Sequence, residues 1–491
     1  MGATFRHFIS VKRRLLLALL TAFACALCLF GEHLELSAGN FLGSSCREAE
    51  AVLRDPETQW MALLCAGAYL VTFSVIRNRR LCCGTASAIG VGFWRAVFLV
   101  ISALVYFLTY RSASLSMQTV MLLGGAAIGS GAWVNLFWRD DPVASRRSLS
   151  RFLMITVVAL AIACFWNCGS GPVFSYKHNT RWVGPWFSPN LYGLLMASGI
   201  VLATGLAVGR SRRWASSGLT EVRRRLGGSL ALPMLLLLAG GGMAVGLWKS
   251  YSRGAWVGAG VGGVYLSVQW LRRCWNQSEE PFLSGDRKEC AGSGDPAYSI
   301  PEGGAYGAVN GRIRTCMNVA VLVCAVGALL FWQYQHTESV TGRRAISASN
   351  QNDLSWRNRV AAWEGDLQMM AEKPVFGFGW NQPEPFYGKY YTPSRLDETG
   401  AIEMNDYLML GATLGIPALF CFGMYLWLSF TETALREARP ATDLDGRQLD
   451  WLKAVCRAGA LVLAVGFWFD GGLFKLATSA AFWILLELGR E

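Results

Sequence analysis

The strongest constraint on this chain is a succession of apolar runs, each long enough to cross a lipid bilayer. A hydrocarbon core of about 30 Å takes roughly 20 mostly apolar residues wound as a helix. Twelve runs approach that length: 15–30, 60–76, 93–110, 117–138, 152–168, 190–208, 230–248, 254–271, 317–334, 406–430, 454–469 and 472–488. In lipid every backbone N–H and C=O must be paired inside the protein, and runs of this length achieve that as helices. The expected fold is all-α: a polytopic integral membrane protein of about 12 transmembrane helices. Run 254–271 is rich in Gly, and only Asp470-Gly471-Gly472 separates the last two, so eleven or thirteen spans stay open. Leu15–Phe30 follows Lys12-Arg13-Arg14 in the manner of a secretory signal, but no small-residue cleavage site follows, so it reads as a retained signal anchor.

Charge gives the orientation and removes one function class. Charged residues make up 16% of the chain, against about 25% in soluble domains, too few to solvate a soluble surface. A net charge of +12 would suggest nucleic acid in a soluble protein. With the N-terminus in the cytoplasm, however, the tail, the even-to-odd connections and the C-terminus carry most of the 45 Lys and Arg, as the positive-inside rule requires. Arg77-Asn78-Arg79-Arg80, Arg146-Arg147 and Arg223-Arg224-Arg225 are then topological anchors, and no nucleic-acid partner is called for. Arg95 is the clearest charge inside a span.

The layout expected is spans one to nine over 1–334, an external segment over 335–405 and spans ten to twelve over 406–491. Residues 272–316, mixing Gly, Ser, Pro and acids, cannot bury a core and are expected to be a disordered cytoplasmic loop. The segment 335–405 has aromatics, prolines and paired charges, including GFGWNQPEPFYGKYYTP, and is expected to be a partly helical, functional loop. Most of the 14 Cys lie within spans or cytoplasmic loops and read as small packing residues. Neither a metal nor another cofactor is called for.

Three external features carry candidate chemistry. The first is Tyr176-Lys177-His178-Asn179-Thr180-Arg181-Trp182-Val183-Gly184-Pro185-Trp186-Phe187-Ser188-Pro189-Asn190-Leu191-Tyr192-Gly193. Gly-Pro and Ser-Pro force turns, and Trp182, Trp186 and Tyr192 suit the headgroup boundary. Arg181 and Asn190 would stand where lipid phosphates lie. The second is Lys249-Ser250-Tyr251-Ser252-Arg253-Gly254-Ala255-Trp256. Arg253 is at the mouth of a span and is either a snorkelling anchor or a phosphate-gripping fork. The third is the long loop, with Arg357, Arg359, Trp363 and Pro374-Val375-Phe376-Gly377-Phe378-Gly379-Trp380. Arg359 and Trp363 are four apart and share a helix face, a cation beside an aromatic wall that suits phosphate next to sugar. The loop ends at Glu403-Met404-Asn405-Asp406-Tyr407-Leu408.

RWVGPWFSPNLYG, SYSRGAWVG, RVAAWEGDLQMMAEKPVFGFGW and MNDYLMLGATLGIPA occur in this order at the junctions between spans. In this the chain resembles the O-antigen ligase and O-antigen polymerase superfamily of bacterial membrane glycosyltransferases, over roughly residues 150–430. The resemblance implies an inverting, metal-independent transfer at the outer leaflet of the inner membrane, with the long loop periplasmic. A glycan on undecaprenyl pyrophosphate would be the donor, and a lipid, polysaccharide or protein the acceptor. Arg253 and Arg359 would hold the pyrophosphate, joined by Arg181, Asn190, Trp363 and Arg357. Where the family reads His-Asn-Asp, this chain reads Met404-Asn405-Asp406. Glu403 or Asp406 would then supply the general base beside Asn405, or His336 or His178 would reach in. Alternatively the base is dispensable, or catalysis is lost and the protein only binds lipid-linked glycan. The motifs do not separate ligase from polymerase. A transporter or flippase would place charges at mid-span and show internal repeats, and a receptor or scaffold would need no Arg at the span mouths.

Overall fold

The computed structural model describes residues 86–109, 142–165, 173–176, 179–186, 188–215, 231–277, 354–379, 387–390, 405–436 and 444–490, with a few residues between 126 and 132. The elements are α1 (Ala86–Thr109), α2 (Pro142–Phe165), β1 (Val173–Tyr176), β2 (Asn179–Trp182), α3 (Pro189–Ala215), α4 (Ala231–Ser250) and α5 (Arg253–Gln277). They continue with α6 (Leu354–Glu372), α7 (Tyr387–Tyr390), α8 (Asp406–Leu414), α9 (Ile416–Arg436), α10 (Leu444–Phe469) and α11 (Leu476–Gly489). Two compact units emerge, residues 1–262 with 351–491, and residues 263–350. The described part of the second is the continuation of α5 to Gln277. The helix therefore runs into the expected disordered loop; residues 278–316 lie outside the described residues, as do spans 15–30, 60–76 and 317–334 and most of 117–138.

Among the described residues four helices are long and apolar enough to cross a membrane: Val143–Phe165, Pro189–Gly209, Leu232–Ser250 and Gly446–Phe469. Their surroundings differ. α3 and α10 are buried along most of their length, whereas α4 turns Met234, Leu235, Leu237 and Leu238 outward, Leu238 being 72% exposed. In water such a face would forfeit the favourable transfer of its apolar area; against lipid tails it forfeits nothing. The first ten residues of α5 approach α10 through small residues spaced by four. A Cβ at Gly258 would lie 2.7 Å from the Val462 carbonyl, and Gly254 and Gly262 are equally close to Asp470 and Val462. This is the small-residue packing that lets membrane helices touch backbone to backbone. It explains why the Gly-rich run is a helix after all.

Two elements depart from the expectation. The all-α reading misses a two-residue-turn hairpin, in which β1 pairs antiparallel with β2 and Phe174 lies opposite Arg181. The single span expected over 406–430 is two helices, α8 and α9, broken at Gly415 with φ +89°. A break inside lipid exposes helix-end carbonyls that need donors. Here the segment after α6 supplies them: Phe378 N donates to Ala412 O and Gly379 N to Thr413 O, both at 2.9 Å, while Ile416 N donates to Pro374 O at 2.8 Å. Gly377 (φ +62°) and Gly415 permit this docking, since a Cβ on either would strike the opposing backbone at Thr413 or Val375. The GFG run is thus a plug seated on a broken span.

Candidate active site

The site grows from the turn between α4 and α5. Tyr251 adopts φ +52°, unusual for a residue with a Cβ, and the turn ends on Ser252, the N-cap of α5. Ser252 Oγ accepts from Ala255 N at 3.2 Å, satisfying a free amide of the first turn. Arg253, half-buried, is therefore the first residue of the helix. The same Ser252 hydroxyl donates to Asp470 Oδ2. Gly254 completes the contact, because a Cβ there would lie 2.5 Å from that carboxylate oxygen.

Asp470 closes α10 in a turn carried by Gly471 (φ +69°) and Gly472 (φ +141°). Its Oδ1 takes a charged hydrogen bond from Arg359 Nη2 of α6 at 3.0 Å, with the side chains 1% and 9% exposed. One buried carboxylate thus joins the long loop to the span mouth that bears Arg253. The following residue pair fixes the turn from the other side: Leu473 N donates to Asp406 Oδ2 at 2.7 Å. Asn405 caps α8, its Oδ1 accepting from Tyr407 N and Leu408 N at 3.1 Å. Gathered round Asp470, then, are Arg359, Ser252-Arg253-Gly254 and, through Leu473 three residues on, the Asn405–Asp406 helix start.

Arg181 and Asn190 reach the same turn as a brace. Arg181 donates through Nε to Ser250 O at 2.7 Å and through Nη2 to Asn190 Oδ1 at 2.8 Å. Gly193 lets α3 in close, since a Cβ there would lie 2.8 Å from Ser250 Oγ and 3.0 Å from Ser252 Cβ. Trp186 and Tyr192 were expected at the headgroup boundary and are instead wholly buried, with ring centroids 6.1 Å apart. Gly184 (φ +59°) folds the chain against the Tyr192 ring, and Ser188-Pro189 starts a helix as well as a turn.

Trp363 packs 6.1 Å from Trp468 of α10, and Trp468 lies 5.9 Å from Tyr407. Arg357, on the other face of α6, is exposed. Glu403, Met404, His178 and His336 lie outside the described residues. Two buried amide atoms beside the site make no hydrogen bond with the described residues: Asn358 Oδ1, next to Arg359, and Asn405 Nδ2, next to Asp406. Among the described residues no three His, Cys, Asp or Glu side chains gather as metal ligands would. Farther out, Lys389 of α7 holds Glu372 of α6 at 2.8 Å. The hydrogen bond from Lys389, then that from the Tyr390 hydroxyl, keeps the Glu372 carboxyl below the usual carboxylate range.

Asp470 is the site residue that the sequence reading passed over as a turn former. The available signal was an acid in the short turn between two apolar runs. Asn358 and Trp468 carried no signal of their own.

Residues 236–423 match the family model of the O-antigen ligase. Over that stretch the chain is similar to the O-antigen ligase superfamily. The matched stretch contains Arg253, Arg359 and Asn405–Asp406, whereas Arg181 and Asp470 lie outside it and contact it, Asn190 holding Arg181. The match supports a membrane enzyme of the ligase or glycosyltransferase type. No curated protein matches the chain.

Proposed function

We propose that this protein, like the superfamily it resembles, transfers a glycan from a polyprenyl pyrophosphate to an acceptor hydroxyl at the outer leaflet of the inner membrane, with inversion at the anomeric carbon. The observation that carries the reading is the Arg359–Asp470–Ser252 connection, which sets a loop arginine beside the span mouth that bears Arg253. A pyrophosphate leaves only if its growing charge is neutralised, and fixed donors in a water-poor site do this at little reorganisation cost. Arg253 and Arg359 supply that charge. Asp470 holds Arg359 in place before the lipid arrives, and Arg181 with Asn190 braces the turn on which Arg253 is mounted.

The acceptor hydroxyl attacks the anomeric carbon and gives up its proton. Asp406 accepts the Leu473 amide N–H, and Asp470 accepts from Arg359 and from the Ser252 hydroxyl, so both carboxylates are engaged in holding the site together and serve as positioning groups. Glu403, two residues ahead of the Asn405 cap, is the general base in this reading, in place of the family's histidine. General base catalysis contributes about 10²–10⁴-fold, so Glu403→Gln lowers turnover by that order while leaving affinity for the lipid donor unchanged. Unchanged turnover removes Glu403 from the role. The activity itself is tested by incubating the purified protein with a labelled polyprenyl-pyrophosphate glycan and candidate acceptors. Release of lipid pyrophosphate together with a new glycosidic product supports transfer; a lipid-linked product of doubled repeat length would make the protein a polymerase.

A further inference from the structure

We infer that Trp468, with Trp363 and the side-chain amide of Asn358, forms a pyranose-binding subsite beside the Arg359–Asp470 pair. The inference rests on the reading that a glycan is the group transferred, and it names the residues that recognise the sugar. Trp468 is two residues before Asp470 on α10, and Trp363 is four after Arg359 on α6. The 3.0 Å ion pair between Arg359 and Asp470 therefore sets the two indoles side by side, at 6.1 Å and 58°.

Trp468 is 42% exposed although two aromatic rings flank it. Its inner neighbour Tyr407 is fixed by a hydrogen bond from its hydroxyl to Ala464 O at 2.7 Å. An interfacial Trp that only anchors a helix turns its ring toward headgroups. Trp468 instead lies between the loop helix α6 and the half-helix α8, next to a buried ion pair. A pyranose has the matching chemistry: a C–H face that stacks on an indole and a hydroxyl edge that needs hydrogen-bond partners.

Asn358 offers such a partner. It is 2% exposed, it directly precedes Arg359, and its Oδ1 accepts no hydrogen bond from the described residues. A buried acceptor left unmatched is destabilising, so a group that supplies an O–H there is favoured. Asn358 Oδ1 accepting from a sugar hydroxyl, with the ring stacked on Trp468, places the sugar next to the arginine that meets the phosphate.

The test is saturation-transfer NMR on the purified full-length protein in micelles, with methyl glycosides of glucose, galactose, N-acetylglucosamine and rhamnose as probes. Saturation should reach the ring protons of at least one probe. That signal should fall about five-fold in Trp468→Ala, the scale of one aromatic stacking contact, and fall in Asn358→Ala, while Trp468→Phe retains most of it. Binding of undecaprenyl pyrophosphate lacking a sugar, measured on the same variants, should be unchanged by Trp468→Ala and lost in Arg359→Ala. No signal with any probe, or a signal indifferent to Trp468→Ala, overturns the subsite. A probe signal that depends on Trp468 in a protein that binds no lipid pyrophosphate keeps the subsite and overturns the phosphate reading.

Discussion

Two buried ion pairs stand at opposite ends of α11, and they are built differently. At its far end Glu487, wholly buried, meets Arg95 of α1 at 2.9 Å, Arg490 at 3.1 Å and the Tyr425 hydroxyl of α9 at 2.7 Å. Arg490 also lies 5.2 Å from the Tyr425 ring centre. Some 20 Å away along the helix, by its rise of about 1.5 Å per residue, Asp470 meets Arg359. The Glu487 cluster draws its partners from packed helices and surrounds one carboxylate with several donors. The Asp470 cluster draws its arginine from α6, in the long segment between apolar runs, and leaves Asn358 Oδ1 and Asn405 Nδ2 unmatched beside an exposed Trp468. Arg95 Nε is unmatched as well, so the difference lies in the origin of the partners: a charge group drawn from packed helices holds them together, whereas one whose arginine comes from a loop, beside an exposed Trp468, is prepared to exchange that partner for a ligand.

The largest effect expected is at the closed cluster. Glu487→Ala leaves Arg95 and Arg490 buried without their shared carboxylate, and removing one member of a buried pair costs about 3–5 kcal/mol. Thermal unfolding should shift down accordingly, while turnover per folded molecule changes less than about two-fold. Abolished turnover at unchanged melting would show that the two clusters are not separable. Next comes the open cluster. Arg359→Ala should lower transfer by about 10²–10³-fold, the scale of losing one preorganised donor to a developing charge. Arg359→Lys should recover only part, because an ammonium cannot form the planar fork. Equal activity of the two would mean that point charge alone matters.

A smaller effect tests the plug between loop and broken span. Gly415→Ala forces a Cβ into the Val375 carbonyl at a left-handed φ, a strain of about 1–3 kcal/mol. The amides of Phe378 and Gly379, which cap Ala412 and Thr413, should lose hydrogen-exchange protection; retained protection would show that the loop docks by other contacts. The smallest effect is at the exposed rim. Glu372 has a lowered folded-state pKa, so its bond to Lys389 stabilises above the unfolded value of about 4.3 and is lost as pH falls through the folded value. The protection of 387–390, corrected for the intrinsic pH dependence of amide exchange, should therefore be flat from pH 7 to about pH 5 and fall only below the unfolded value, with little effect on the rest of the chain because the pair is solvent-screened.

The sequence disclosed what is periodic and concealed what is distant. Long apolar runs mark α2, α3, α4 and α10 without reference to any other part of the chain. The break at Gly415 was hidden because Leu414-Gly415-Ile416-Pro417 is apolar throughout, and hydropathy does not register a left-handed residue; Pro417 just after Gly415 was the local clue. Arg359 was legible through its motif and its spacing to Trp363. Its partner was not, since Asp470 lies 111 residues on and only the fold brings it near. Trp186 and Tyr192 were misplaced for a similar reason: their amphipathic rings suit an interface equally well, and burial depends on the conformation of Gly184. Arg95 was visible as a charge inside a span, but Glu487 is the next-to-last residue of run 472–488, where an acid reads as a span-end residue.

The most direct measurement of the central claim is a structure of the full-length protein with undecaprenyl pyrophosphate bound in a lipid nanodisc. The account predicts pyrophosphate density within hydrogen-bond distance of both Arg253 and Arg359, with Arg359 drawn off Asp470 and the Glu487 cluster unchanged. Density at the Arg95–Glu487–Arg490 cluster, or a pyrophosphate that touches neither Arg253 nor Arg359, would contradict it.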